Sequence, residues 1–186
     1  MGKLKKINHE IKCATQQVTV SRTDTEGNII YCNPTFLEIN GFKSSEIIKK
    51  PHSIIRHPDM PKTIFRVIWS IVSQGLPIQA VLKNQTNDGK YYWTLISIKP
   101  QKDRDNQVIS YVAYGKQAPD AVINKIEPLY KILSEIEYEL NIDTAVQYLE
   151  SHLKEEGMSY AQYMKHLTKN REFRCLCDFI KLAILR

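Results

Sequence analysis

Residues 24–34 read Asp-Thr-Glu-Gly-Asn-Ile-Ile-Tyr-Cys-Asn-Pro, which is a turn, a short apolar run and the start of a helix. Gly27 can take the positive φ that a tight turn requires, and the residues on either side of the turn are rich in β-branched side chains. Asn33 is suited to cap a helix and Pro34 to fill its first position. The stretch therefore predicts a β-hairpin that leads directly into a short helix, ending near Gly41.

The second half of the domain repeats the hairpin pattern. Asn87-Asp88-Gly89 is a strong turn signal, and strand-like segments at 76–85 and 90–99 flank it, with a third at 107–117. Before them, apolar residues at helical spacing predict one amphipathic helix from about residue 61 to Gly75. Its apolar residues are Ile64, Phe65, Ile68, Trp69 and Val72. Together these patterns predict an α+β domain with a five-stranded antiparallel sheet and short helices on one face.

Charge and periodicity change near residue 120. Residues 1–119 contain 17 Lys and Arg against 9 Asp and Glu, whereas residues 120–186 contain 9 against 11. From Val122 to Leu140 apolar residues recur at alternating spacings of four and three, which predicts a helix that Pro128 kinks or restarts. We therefore divide the chain into a lead (1–15), a central domain (16–119) and a small helical bundle (120–186). Its last predicted helix contains Phe173, Leu176, Cys177, Ile180 and Ile184.

Composition excludes several classes of protein. With 42% hydrophobic and 25% charged residues the chain is ordinary globular protein, and its sequence pattern leads us to expect neither a membrane span nor a signal sequence. We expect a cytoplasmic protein with free thiols. No Gly-rich phosphate loop and no His-Glu-x-x-His pattern is present, so we do not expect an enzyme. The net charge of +6 is not concentrated in a basic stripe, so we do not expect nucleic-acid binding.

Several motifs resemble those of PAS sensor domains in order and spacing. They are Asp24 to Ile29, Asn33-Pro34 with Phe36, Gly41-Phe42, Gly75, and Asn87-Asp88-Gly89 before Tyr92-Trp93. Residues 51–62, Pro-His-Ser-Ile-Ile-Arg-His-Pro-Asp-Met-Pro-Lys, resemble more narrowly the PAS domains of bacterial aerotaxis receptors. The resemblance covers about residues 16–133. It implies a PAS fold followed by a C-terminal helical segment.

The same resemblance implies a function. It implies a noncovalent FAD between the sheet and the short helices, whose redox state is passed by protein contact to a membrane-bound chemotaxis transducer. Because no membrane span is expected, the transducer would be a separate chain, as for the soluble PAS partners of energy-taxis transducers. The C-terminal helices offer a second contact, between two copies of this chain.

Three candidate cofactor-binding residues lie on the proline-rich loop. Arg56 and His57 can donate hydrogen bonds to a flavin, its ribose or its pyrophosphate, and Asp59 can orient either of them. The alternative is that Arg56 and Asp59 pair with each other and only brace the loop.

Three further candidates lie outside that loop. Trp69 can face the flavin ring or be ordinary core, and Asn33 and Asn84 match positions associated with flavin binding in the family. Asn33 can instead be only a helix cap. In the strand at 90–99, Tyr91 and Trp93 share one face and Tyr92 the other, so the strand register decides which of them faces the pocket.

One departure from aerotaxis receptors keeps other functions open. Those receptors have Trp-Ser-Gly where this chain has Ile78-Gln79-Ala80. A cofactor-free PAS interaction module, with the pocket filled by its own side chains, is therefore an alternative. A PAS sensor of another ligand is a further one, such as haem bound by His52 or His57.

Overall fold

The computed structural model describes residues 9–13 and 16–168, and the helix expected around Phe173 lies outside them. The strands are β1 (Thr19–Thr23), β2 (Ile29–Cys32), β3 (Ile78–Gln85), β4 (Tyr91–Lys102) and β5 (Val108–Gln117). The helices are α1 (Pro34–Asn40), α2 (Ser44–Ile47), α3 (Lys62–Val72), α4 (Asp120–Glu139), α5 (Ile142–Glu155) and α6 (Tyr160–Leu167), with a 3₁₀ turn at His52–Ile55. The predicted α+β order is confirmed.

The five strands form one antiparallel sheet in the order β2-β1-β5-β4-β3. The predicted hairpins are its two ends, β1–β2 and β3–β4. The predicted turn residues act as expected: Gly27 and Gly89 have φ of 86° and 89°. The Asn33 side chain accepts a hydrogen bond from the Phe36 backbone N–H and so caps α1.

The sheet has two differently covered faces. The inner face packs against α1, the 3₁₀ turn and α3, and contains Asn84 and Tyr92, which are paired across β3 and β4. The outer face packs against α4 and contains Trp93, whose ring lies 6.4 Å from that of Tyr130. The Tyr130 hydroxyl donates to the Val81 carbonyl at 2.8 Å, which joins α4 to the edge strand β3.

The C-terminal helices pack onto the domain. Residues from α4, α5 and α6 belong to the same buried cluster as residues from α3 and the sheet, among them Leu133, Leu149 and Met164. The sequence predicted that Pro128 would either kink helix α4 or make it restart. The helix does not restart, since it continues from Asp120 to Glu139 with Pro128 inside it. Proline removes a single backbone donor, and buried residues on both sides of it, Ile126 and Leu129, hold the helix against the sheet. None of the described helices is long and apolar enough to cross a membrane.

Helix α3 is capped by a residue from α4. Pro61 precedes α3 and provides no side-chain cap. The Glu137 carboxylate accepts hydrogen bonds from the backbone N–H groups of Lys62 and Thr63, at 3.0 and 2.7 Å, and from the Thr63 hydroxyl at 2.8 Å. These donors are the ones that a helix start leaves unpaired, so Glu137 fixes α4 to the start of α3.

Candidate functional site

A cavity of about 220 Å³ lies between the inner face of the sheet and the helices that cover it. Most of its wall is apolar. Helical and strand residues contribute, among them Phe36, Ile55, Phe65, Ile68, Leu82 and Ile96. Such a slot, with few polar groups, is typical of a site for a flat, largely apolar ligand.

Polar side chains close one end of the cavity. The Asn84 side-chain amide donates to the Tyr92 hydroxyl at 3.2 Å, and that hydroxyl donates to Asn40 Oδ1 at 3.0 Å. All three residues are buried, at 7%, 2% and 0% exposure for Asn84, Tyr92 and Asn40. Asn84 and Tyr92 line the cavity, so this series of hydrogen bonds reaches the cavity wall at the Asn84 amide.

Arg56 is a cation in the cavity wall. Its guanidinium carbon lies 3.6 Å from the centre of the Phe65 ring. Its Nε atom is buried and has no hydrogen-bond partner among the described residues. Burial lowers the pKa of Arg56, and the Glu137 carboxylate opposes that change. A buried donor without a partner is costly, so this position favours an anionic or hydrogen-bond-accepting ligand.

His52 lies one turn before Arg56 and also lines the cavity. Its Nε2 atom is 2.9 Å from the Ser21 hydroxyl, and its ring packs edge-on against Phe36, with centroids 5.8 Å apart. Burial, helped by the positive charge of Arg56, lowers the pKa of His52 from 6.5 to about 4. The ring is therefore neutral at physiological pH and offers one donor and one acceptor.

Trp69 closes the cavity on the side of the β1–β2 turn. Its ring packs edge-on against Tyr111 at 5.3 Å between centroids. A Cβ atom on Gly27 would lie 3.1 Å from the Trp69 ring, so the glycine lets the turn approach the indole. Trp69 is 36% exposed, which places it at the rim of the cavity.

Comparison with known families decides the fold family. Residues 29–114 match the family described as PAS fold. These residues form a PAS domain, with the PAS fold.

Known proteins with similar sequences include a receptor and a transcriptional activator. The aerotaxis receptor of Escherichia coli (strain K12) is 33% identical over 121 residues, which are 65% of this chain and 24% of the receptor. The bacterioopsin transcriptional activator of Halobacterium salinarum is 31% identical over 98 residues, 52% of this chain and 14% of that protein. The chain thus spans at most 24% of the length of these two relatives.

A solved light-oxygen-voltage domain, from a study of a flavin analogue, supports the same fold. It superposes with a TM-score of 0.55 at 19% identity and covers 61% of this chain and 87% of that one. At this identity the likeness concerns the fold alone. The PAS domain of this chain is therefore similar in sequence to part of the aerotaxis receptor and has the fold of a light-oxygen-voltage domain.

The PAS domain brings three of the six predicted site residues to the cavity. Arg56, Trp69 and Asn84 line it, whereas Asn33, His57 and Asp59 do not. Arg56 pairs with Asn84 in a short antiparallel bridge, so the chain is extended at this point. Because side chains alternate along an extended chain, Arg56 faces the cavity and His57 does not.

The other three predicted residues have structural contacts. Asn33 caps α1, and its amide also binds the backbone of Val18 and Val20, at 2.9 and 3.0 Å. His57 is 1% exposed, and its Nδ1 accepts from the Asp59 backbone N–H at 3.1 Å. Asp59 forms an ion pair with Lys83 at 3.1 Å. Asp59 therefore pairs with Lys83 and not with Arg56, in contrast to the alternative expected from the sequence.

Two further residues, His52 and Tyr92, line the cavity although they were not among the six predicted flavin contacts; the sequence offered His52 only as a haem ligand and left Tyr92 to the strand register. The spacing of four between His52 and Arg56 was a usable signal for one of them. Tyr92 needed the strand register. The replaced positions Ile78 and Ala80 are buried at 3% and 0% exposure in the core cluster and do not line the cavity.

Proposed function

We propose that the cavity binds FAD and that the protein is a cytoplasmic, non-enzymatic PAS sensor of redox state or energy supply. The observation that carries the proposal is Arg56, whose buried Nε lacks a partner at the wall of an apolar slot. A bound flavin offers the acceptor atoms that this donor lacks. Similarity to the aerotaxis receptor supports the same cofactor class.

The lining residues fit the parts of FAD in different ways. The apolar walls suit the flat ring system, Asn84 suits the polar edge of that ring, and Arg56 suits a ring oxygen or the pyrophosphate. At about 220 Å³ the cavity is smaller than most ligand pockets, which hold roughly 300–1,000 Å³. The ring system would therefore be the part of FAD that the cavity receives, and the adenine half would extend beyond it.

FAD, when bound, supplies a two-electron centre whose charge and hydrogen bonding change on reduction. Arg56, His52 and Asn84 are the polar groups placed to respond, because all three line the cavity. Arg56 stacks on Phe65 of α3, and α3 is capped by Glu137 of α4. We propose that a change at the ring reaches α4 along this route, and that the C-terminal helices report it to a separate chemotaxis transducer.

An absorption spectrum before and after dithionite tests the cofactor. Protein produced with ample flavin should be yellow and should bleach on reduction. Arg56→Ala should weaken FAD binding about 10-fold or more, since it removes a charge-assisted hydrogen bond. The matched control is Arg104→Ala, because Arg104 is exposed in the turn between β4 and β5. Colourless wild-type protein with a native circular-dichroism spectrum would refute the proposal.

The modest size of the cavity favours a second candidate, a cofactor-free PAS interaction module. In that case the folded protein binds no FAD, and Arg56→Ala alters neither colour nor stability beyond the Arg104→Ala control. The same spectra and melting curves therefore separate the two functions.

A further inference from the structure

Three buried polar side chains, two of which line the cavity, form a series of hydrogen bonds with a fixed donor-to-acceptor direction. It begins at the Phe36 backbone carbonyl, which can only accept a hydrogen bond. Asn40 Nδ2 lies 2.8 Å from that oxygen, so the amide nitrogen of Asn40 must point toward it. The Asn40 side chain is therefore anchored with its Oδ1 directed away from Phe36, toward Tyr92.

Tyr92 continues this series of hydrogen bonds in the same direction. Its hydroxyl lies 3.0 Å from Asn40 Oδ1, which is an acceptor, so the hydroxyl proton is used there. The oxygen of Tyr92 can then only accept, and it does so from Asn84 Nδ2 at 3.2 Å. Burial raises the pKa of Tyr92 to about 12, which keeps this proton in place at neutral pH.

The direction of this series fixes the amide of Asn84. Its Nδ2 is committed to Tyr92, and its Oδ1 accepts no hydrogen bond from the rest of the described structure, although Asn84 lines the cavity. We infer that Asn40 and Tyr92 are positioning residues that hold the Asn84 carbonyl oxygen as an acceptor, so that the cavity selects a ligand with an N–H or O–H donor at this edge. The inference rests on the proposed function, because the flavin ring has such an N–H between two carbonyls.

A double-mutant cycle on FAD affinity tests the positioning role. Asn84→Ala should weaken binding about 10-fold or more, and Tyr92→Phe about 5-fold, because the Asn84 amide is then free to turn. The double variant should match Asn84→Ala within about twofold, since Tyr92 acts only through Asn84. Asn40→Ala interrupts the same series of hydrogen bonds and replaces Tyr92→Phe if that variant is unstable. Tyr31→Phe, at a 51% exposed tyrosine, is the control.

A flavin methylated at the ring N–H tests the acceptor without relying on Tyr92. Wild-type protein should bind 3-methyl-FAD about 5-fold or more weakly than FAD, and Asn84→Ala should discriminate less than about twofold. A methyl group that clashed with residues other than Asn84 would weaken binding to both proteins.

Two results overturn the inference by different routes. If wild-type protein binds FAD but the cycle is additive, or if both proteins discriminate equally against 3-methyl-FAD, the inference fails and the proposed function stands. If folded wild-type protein binds no FAD, both fail.

Discussion

Replacing Glu137 by alanine should destabilise the protein because it uncaps a helix that is distant in sequence. The Glu137 carboxylate accepts hydrogen bonds from two backbone N–H groups at the start of α3 and from the Thr63 hydroxyl. Loss of a helix cap costs about 0.5–2 kcal/mol, and a hydrogen bond to a charged group contributes about 1.5–3 kcal/mol. Glu137 is only partly buried, so water replaces some of these bonds. We expect the free energy of unfolding to fall by about 2–3 kcal/mol.

Two matched variants separate capping from a general loss of charge. Glu137→Gln keeps one acceptor oxygen and should lose about half as much stability, roughly 1 kcal/mol. Glu135→Ala removes an exposed carboxylate from the same helix, and the Glu135 side chain makes no hydrogen bond or ion pair within the described structure. It should change stability by less than about 0.5 kcal/mol.

Urea unfolding followed by circular dichroism and by tryptophan fluorescence measures these differences. Trp69 lies on α3 itself and Trp93 on the outer face of the sheet. The fluorescence of these two tryptophans therefore reports unfolding of both the capped helix and the sheet. The reasoning is refuted if Glu137→Ala and Glu135→Ala unfold at the same urea concentration.

Two further predictions concern buried groups. Because the pKa of His52 is about 4 in the folded protein and 6.5 when unperturbed, the unfolded chain binds more protons between these values, and stability falls as the pH is lowered from 6.5 to 4. His52→Gln should reduce this loss of unfolding free energy by up to roughly 3 kcal/mol. The control His166→Gln, at an exposed position, should leave the loss unchanged. Identical plots of unfolding free energy against pH for the two variants would contradict the prediction. Tyr130→Phe leaves the Val81 carbonyl unpaired and should cost about 1–3 kcal/mol of unfolding free energy, against no measurable change for Tyr138→Phe, which is 87% exposed.

Local patterns were sufficient for most of the fold. The caps and turns of the first hairpin depend on residues that are neighbours in sequence, such as Asn33 with Phe36, and the sequence predicts them. Which side chain faces the cavity depends on pairing between distant segments. Tyr92 faces inward because β4 pairs with β3 in the register that sets Tyr92 opposite Asn84, and neighbouring residues do not determine that register.

At the candidate site, too, the direction in which each side chain points could not be predicted from residues that are close in sequence. The proline-rich loop suggested that Arg56, His57 and Asp59 act together, because they are close in sequence. The bridge between Arg56 and Asn84 extends the chain, and only Arg56 lines the cavity while Asp59 pairs with Lys83. Closeness in sequence thus does not determine which side of the chain each residue occupies, and only Arg56 of the three lies at the cavity wall.

Helix α3 connects the candidate site to the C-terminal helices. One part of it, with Phe65 and Trp69, forms the wall of the cavity. Its first turn is held by Glu137, which lies 74 residues beyond Thr63 in the sequence. Because a helix moves as a rigid unit, α3 cannot shift at the cavity without stretching its hydrogen bonds to α4. On the proposed route, a ligand that displaces α3 through Phe65 or Trp69 would act on α4 through the Glu137 contact, and the stability of that contact would set how much of the displacement α4 follows.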